Sequence, residues 1–195
     1  MNADTDAGAA TIGRWLQNNQ QPTHLGDLRL RKVDSQGKSF LLQLFRSCRP
    51  HPEQIPMPAE FIDVLVQQQY DLQRSDYARR FPGYLDFLIL QQQESIGNLK
   101  LYEDDGHLHV LDIALLPEHR SKGHGRTLLR WLQAMASEHD KQVQLSVDRQ
   151  NWRARKLYDT LGFELVGTSG SHDFMAWEAG QKLATPENAE WSGVR

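Results

Sequence analysis

Residues 120–127 read RSKGHGRT, a glycine-containing turn that separates a predicted strand from a predicted helix. Glycine allows a tight turn and a close approach to a ligand, and the free N–H groups at the start of a helix point toward an anion. The helix dipole favours negative charge at the same place, and Arg120, Lys122 and Arg126 add positive charge around it. The turn is therefore predicted to bind a phosphate-like group.

The spacing of the glycines in this turn excludes two common classes of phosphate ligand. It lacks the GK[ST] ending of a nucleoside-triphosphate loop, and it does not follow the GxGxxG pattern of a dinucleotide-binding turn. A diphosphate ligand of another kind is implied. A glycine turn by itself also suits an ordinary connection between a strand and a helix, so a second motif is needed to decide.

The second motif lies downstream, where residues 151–163 read NWRARKLYDTLGF and follow the pattern NxxAxxLYxxxGF. Residues 112–117 read DIALLP and lead into RxxGxG at 120–125. Together these blocks resemble the GNAT superfamily of N-acetyltransferases, with the glycine turn as that family's pyrophosphate loop. His124 departs from the family pattern, in which a smaller or aliphatic residue is more usual.

The resemblance implies acetyl-CoA as the co-substrate. Its pyrophosphate would lie on the backbone of residues 121–127, and its pantetheine arm would pair with the strand at 113–116 like an added strand. Such pairing requires two parallel strands to splay apart, which the family achieves with a bulge. The residues expected to bind the cofactor are Ile113, Leu115, Arg120, Ser121, Lys122, Gly123, His124, Gly125, Arg126, Thr127, Asn151 and Tyr158.

Acetyl transfer to a primary amine by direct attack in a ternary complex has three requirements: a neutral amine, a stabilised oxyanion and a proton for the leaving thiolate. The resemblance places Tyr158 at the thioester sulfur, where its weakly acidic hydroxyl can donate that proton. The backbone N–H of Leu115, on the bulged strand, is expected to polarise the thioester carbonyl. Asp112 and Glu103 are candidates for the base, and a water chain is the alternative.

Hydrophobic periodicity predicts the element order β-α-α-β-β-β-α-β-α-β-β, an α/β domain. Asp105 and Gly106 mark a hairpin turn within the run of three strands. With the resemblance, we expect a GNAT-like mixed, largely antiparallel sheet flanked by helices, with a splayed pair of parallel central strands. The acetyltransferase domain is predicted to span 27–178, between a flexible N-terminal extension at 1–26 and a flexible C-terminal tail at 179–195.

The second predicted helix carries a polar and aromatic line formed by Gln69, Gln73 and Tyr77 at helical spacing. In similar proteins the early helices wall the acceptor cleft, so these three residues are expected to contact the acceptor. An ordinary solvated helix face is an equally open interpretation. The acceptor, a small-molecule or peptide amine, is not identified by the sequence.

Composition excludes several classes of protein. The chain has 39% hydrophobic and 24% charged residues, proportions typical of a globular domain rather than of a disordered chain. A net charge of -3 gives no overall attraction for nucleic acid or an anionic membrane. There is no run of about 18 apolar residues and no secretory signal pattern. We therefore expect a cytoplasmic protein without nucleic-acid or membrane partners, and a homodimer stays open.

Two further features have plainer interpretations. His107 and His109 share one face of a strand and could chelate a metal, but no third ligand stands at a recognisable spacing, so no metal site is predicted. Cys48 falls on the apolar stripe of the first helix and is predicted to lie in the core. The alternative to an enzyme is a module of the same fold that holds CoA or a protein partner without catalysis.

Overall fold

The computed structural model describes residues 23–48 and 58–180. Within these ranges the chain forms eight strands and four α-helices. The strands are β1 (Thr23–Leu25), β2 (Leu28–Lys32), β3 (Leu85–Gln91), β4 (Glu94–Glu103), β5 (His107–Leu115), β6 (Gln142–Asp148), β7 (Glu164–Ser169) and β8 (His172–Trp177). The helices are α1 (Gly37–Ser47), α2 (Ala59–Arg80), α3 (His124–Glu138) and α4 (Trp152–Thr160). No helix of the described part is long and apolar enough to cross a membrane.

The strands form one sheet in the order β1-β2-β3-β4-β5-β6-β8-β7. Neighbouring strands are antiparallel except for β5 and β6, which run parallel. Their pairing extends only from His107 opposite Gln142 to Val110 opposite Leu145, although both strands continue beyond it. The predicted fold class, a mixed and largely antiparallel sheet with a splayed parallel pair, is confirmed.

A bulge in β5 stands where the pairing with β6 ends. Lys100 of β4 pairs with Asp112 while Leu101 pairs with Val110, so Leu111 is the extra residue in β5. The hydroxyl of Tyr77, on α2, donates a hydrogen bond to the main-chain oxygen of Leu111 at 3.3 Å. A bulge bends its strand and increases the local twist, which turns the end of β5 away from β6.

Helices cover both faces of the sheet, and α3 covers one of them with a single apolar stripe. Leu128, Leu129 and Leu132 of α3 are fully buried in the larger core cluster, as their spacing predicts. On the opposite face, a second cluster joins Leu41 of α1 and Tyr70 of α2 to β3. The site therefore lies on a sheet that is held from two sides.

The sheet begins earlier than predicted, because the predicted N-terminal extension contains β1. Gly26 adopts a positive φ of 70° and turns the chain so that Thr23 pairs with Leu30. Leu25 is buried in the core, which fixes this short strand. A strand of three residues is too short to give a recognisable alternation. The rest of the predicted extension and nearly all of the predicted tail lie outside the described residues.

Candidate active site

A cleft of about 930 Å³ opens where β5 and β6 part. It is lined from four directions, by the first two helices, the strands β4 and β5, the turn before α3, and α4. The lining residues are Leu41, Leu44, Phe45, Cys48, Tyr70, Gln73, Asn98, Lys100, Asp112, Ile113, Ala114, Leu115, Arg120, Ser121, Gly123, His124, Gly125, Arg126, Leu129, Asn151, Arg153, Ala154, Leu157 and Tyr158.

One wall of the cleft is the N-terminus of α3. Gly123 caps the helix with a φ of 88°, in the left-handed region that glycine adopts without strain, and no side chain caps the helix start. The first main-chain bond joins the N–H of Thr127 to the oxygen of Gly123 at 3.0 Å. The N–H groups of residues 124–126 have no intrahelical acceptor, so they and the helix dipole are available to an anion, as the predicted anion site requires.

The end of β5 presents unpaired main-chain groups to the cleft. Leu116 donates its N–H to the oxygen of Ile96 at 2.9 Å. Because the groups of successive residues alternate in an antiparallel pair, the N–H and C=O of Ile113 and Leu115 point away from β4. With β6 splayed off, this edge is free to pair with a ligand, and the oxygen of Leu115 already accepts Arg120 Nε at 2.8 Å.

Arg120 and Cys48 meet at the mouth of the cleft. A terminal guanidinium nitrogen of Arg120 lies 3.3 Å from the Cys48 sulfur, and the cysteine is exposed. The prediction of a core cysteine is therefore wrong. Cys48 is the C-cap residue of α1, one position beyond the last helical residue Ser47, so its side chain leaves the apolar stripe of that helix.

Most of the predicted cofactor residues share this one cleft. Lys122 and Thr127 are the exceptions, since both are exposed and neither lines it. Of the predicted acceptor residues, Gln73 lines the cleft, Gln69 is exposed elsewhere on α2, and Tyr77 lies behind the bulge. Tyr77 is thus a support for β5 in this structure rather than a wall of the cleft, and burial raises the pKa of its hydroxyl.

Tyr158 projects from α4 into the cleft. Asn151 begins this helix by accepting the N–H of Ala154 on its side-chain oxygen at 3.2 Å. The Tyr158 ring packs 5.8 Å from that of Phe163, and its hydroxyl has no hydrogen-bond partner among the described residues. Burial, and secondly the charge of Asp112, raises the pKa of Tyr158 to about 12, so the hydroxyl keeps its proton at neutral pH.

A buried charged group forms the floor of the cleft. Lys100 is 4% exposed, and its ammonium lies 3.7 Å from the Asp112 carboxylate and 3.9 Å from that of Asp86. Asn98 donates to Asp86 at 2.6 Å and accepts from Lys100. Burial raises the pKa of Asp112, Lys100 opposes that shift, and Asp86 adds to it.

Sequence reasoning named Asp112 but missed its partners. The available signal was a lysine between two leucines in β4, and the register shows why it is tolerated: Lys100 pairs with both Asp86 and Asp112 across neighbouring strands. Glu103, the other candidate base, pairs with Leu108 at the far end of the hairpin and forms an ion pair with Lys141 at 3.1 Å. It does not line the cleft, so the structure removes it as a candidate.

His124, the departure from the family pattern, is 7% exposed and lines the cleft. Its Nε2 is buried and has no hydrogen-bond partner among the described residues, and its ring lies 6.3 Å from that of His119. The imidazole therefore lies in the wall of the cleft beside the proposed anion site, with one ring nitrogen unsatisfied. The sequence pattern did not predict this buried nitrogen.

Comparison with known proteins identifies what these parts belong to. A model of the acetyltransferase (GNAT) family matches residues 39–163, which include the bulged strand, the anion site and Tyr158. The chain belongs to the GNAT acetyltransferase family. Members of this family are acyltransferases that use acetyl-CoA as co-substrate, so the chain is an enzyme of that class. No match was found among curated protein sequences.

Solved structures share the fold of this GNAT protein. The PaiA N-acetyltransferase from Thermoplasma acidophilum, in complex with coenzyme A, is 21% identical with a TM-score of 0.60, over 77% of this chain and 98% of that one. An acetyltransferase from Thermus thermophilus is 19% identical with a TM-score of 0.56, over 80% of this chain and 99% of that one. The spermidine/spermine N-acetyltransferase SpeG from Vibrio cholerae is 20% identical with a TM-score of 0.52, over 79% of this chain and 94% of that one.

Proposed function

We propose that this protein transfers the acetyl group of acetyl-CoA to a primary amine by direct attack in a ternary complex. The observation that carries the proposal is the arrangement of the cleft. A proton donor, Tyr158, and a carboxylate, Asp112, stand on two walls of the same cavity, and a helix N-terminus closes its other end. An acid, a base and an anion site are the parts that this reaction needs.

The residues present fit the co-substrate. The N–H groups of residues 124–126 would hold the pyrophosphate, and the free edge of β5 at Ile113 and Leu115 would pair with the pantetheine arm. Acetyl-CoA supplies an activated acyl group when it is bound. Leu115 would then donate its main-chain N–H to the acyl oxygen, because that N–H points away from β4.

Asp112 is the residue we propose as base. Its raised pKa makes it a stronger proton acceptor than an ordinary carboxylate, and Lys100 beside it keeps the ionised form accessible. Asp112 would take a proton from the incoming amine, directly or through one water. Tyr158 would give its proton to the leaving sulfur, which its pKa of about 12 allows because the hydroxyl is protonated at neutral pH.

The acceptor we propose is a small cationic amine. Around Lys100, two carboxylates stand against one ammonium: Asp112, which lines the cleft, and Asp86, which lies behind it. This local excess of negative charge favours a positively charged ligand. Phe45 and Tyr70 supply an aromatic wall beside it. The likeness in fold to a spermidine/spermine acetyltransferase makes spermidine the first amine to test.

The test is thiol release from acetyl-CoA in the presence of a panel of amines: spermidine, an aminosugar, an amino acid, a peptide N-terminus and a lysine peptide. We expect one class to accelerate release far above the rate without amine. Calorimetry with acetyl-CoA is run in parallel. Binding without acceleration by any amine would favour the non-catalytic CoA-binding module, and no binding at all would reject the whole assignment.

A further inference from the structure

Three side chains that the cleft does not use converge at the opposite end of β5. Asp104 stands in the hairpin turn between β4 and β5, and His107 and His109 lie in β5. Their ligand atoms all lie within 4.8 Å of one another. One carboxylate oxygen of Asp104 is 2.9 Å from His107 Nδ1, and the other is 2.7 Å from His109 Nε2. The third ligand that sequence spacing did not provide is thus supplied by the turn.

The turn holds the Asp104 carboxylate in place. The same oxygen that meets His107 also accepts the main-chain N–H groups of Gly106 at 3.1 Å and of His107 at 2.8 Å. The second oxygen has His109 as its partner. Just before β6, Lys141 donates to the main-chain oxygen of Asp104, and its charge is balanced by Glu103.

The two histidines differ in exposure in a way that suits a ligand site. His109 has 17% of its side chain exposed, and its ring packs 5.8 Å from that of Tyr102. His107 has 41% exposed and lies at the surface. One imidazole and the carboxylate are therefore held before any ion arrives, and the second imidazole stands at an open entrance.

We propose that Asp104, His107 and His109 bind a divalent transition-metal ion, with Zn²⁺ as the best match. Two imidazole nitrogens and one carboxylate oxygen are a ligand set that Zn²⁺ takes, with water in the fourth position. The ion binds the ring nitrogens that now face the carboxylate, so each neutral imidazole carries its proton on its other nitrogen in the bound state. His109 is six residues from Leu115 on an extended strand, about 20 Å away. The ion therefore fastens the hairpin and takes no part in acetyl transfer.

The experiment uses the full chain, stripped with EDTA and titrated with ZnCl₂ by calorimetry and by thermal unfolding. We expect one ion per chain, and a rise in Tm of about 5–10 °C at one hundred times Kd, because the ion binds only the folded hairpin. Asp104→Asn keeps an oxygen for the turn but removes the anionic ligand. His107→Gln removes an exposed ligand without disturbing the core. Each should weaken Zn²⁺ binding by more than about 100-fold, since loss of an outer-shell partner alone costs about 10- to 100-fold.

The matched control is His119→Gln, which alters another histidine pair, His119 and His124, whose rings lie 6.3 Å apart. This variant should bind Zn²⁺ as the parent does. The proposal is overturned if the parent does not bind, if Asp104→Asn and His107→Gln bind as tightly as the parent, or if His119→Gln alone abolishes binding. Should Asp104→Asn fail to fold, His107→Gln decides the question alone.

Discussion

The two ends of β5 have opposite surroundings. From His107 to Val110 the strand lies between β4 and β6 and is paired with β6 throughout. From Asp112 to Leu115 it is paired with β4 alone, and its other edge faces the cleft. Polar side chains occur at both ends, but only the open end combines them with free main-chain groups and a helix N-terminus. In this fold the candidate active site is created by the loss of sheet pairing.

A single extra residue separates these two ends. Leu111 has no partner in β4, and the Tyr77 hydroxyl binds its main-chain oxygen. At the adjacent part of β4, a Cβ on Gly97 would lie 2.4 Å from the oxygen of Ala114, so only glycine allows the strands to approach there. The bulge stands where the pairing with β6 ends, and the close contact keeps β5 against β4 beside the cleft.

The largest effect that distinguishes the two ends is expected from Tyr158→Phe. The change removes a hydroxyl at the open end but keeps the ring that packs against Phe163. General acid catalysis contributes about 10²- to 10⁴-fold, so acetyl transfer in a single turnover should slow by that factor while acetyl-CoA affinity is retained. Rapid-mixing kinetics at matched cofactor occupancy measures it.

The control for this prediction stands at the closed end. Tyr102→Phe removes a hydroxyl from a tyrosine that packs against Phe81 and His109, away from the cleft. Its single-turnover rate should equal that of the parent. A Tyr158→Phe protein that transfers acetyl as fast as the parent would make Tyr158 a packing residue and end the proposed acid role.

A smaller loss is expected from Asp112→Asn, about 10²-fold in kcat/KM, since water can replace a base in part. The sign of the pH dependence follows from the raised pKa of Asp112. A protonated carboxyl cannot accept a proton, so kcat/KM of the parent should fall as the pH drops through that pKa. The variant should lack this acidic limb.

Glu103→Gln provides the comparison for the Asp112 prediction. Glu103 is paired with Lys141 at the closed end and does not line the cleft. Its pH profile should match that of the parent. If Asp112→Asn keeps the parent's acidic limb, the base is a water chain, which the sequence also left open.

The two regions differ in how much of their structure could be predicted from the sequence. The glycine turn and helix start that carry the proposed anion site could be predicted because they are local: Gly123, Gly125 and the first residues of α3 are neighbours in the chain. Tyr158 could be named only through a motif that resembles a known family. The partners of Asp112 could not be predicted, because Asp86, Lys100 and Asp112 meet through strand register, and register depends on a bulge that alternation alone does not locate.

The third prediction concerns the anion site, where Gly125→Val should weaken acetyl-CoA binding by about tenfold. A Cβ at Gly125 would already stand 3.4 Å from a methyl group of Leu157, and the branched side chain would obstruct backbone approach by the ligand. A hydrogen bond to a charged group contributes about 1.5–3 kcal/mol, or at least tenfold in Kd. Calorimetry with acetyl-CoA measures the loss.

Gly106→Val is the matched change at the closed end, because a Cβ there meets nothing within 4 Å. Acetyl-CoA affinity should be unchanged in that variant. Gly123 is a poorer site for this test, since its φ of 88° makes any side chain strain the fold itself. Equal affinity in Gly125→Val and the parent would remove this turn from the cofactor site.

The smallest effect on kcat/KM is expected from Lys100→Met. This variant tests what the buried Lys100 ammonium does beneath the open end of β5. The Lys100 ammonium favours the ionised form of Asp112, so its removal should raise the pKa of that carboxyl further. The acidic limb of kcat/KM should then move to higher pH, while the rate on the alkaline plateau is kept. At a fixed acidic pH the loss should be at most about tenfold, the change that a displacement of one pH unit produces.

Thermal unfolding accompanies this measurement, because removal of Lys100 leaves two half-buried carboxylates without their ammonium partner. Asp112 can relieve that repulsion by taking up a proton, so Tm should fall more at high pH than at low pH. Lys38→Met, at an exposed position of α1, serves as the control and should alter neither profile. Suppose that Asp112→Asn abolishes the acidic limb of the kcat/KM profile but Lys100→Met leaves that limb at the parent's pH. The Lys100 ammonium would then hold the strands together without tuning the pKa of the base.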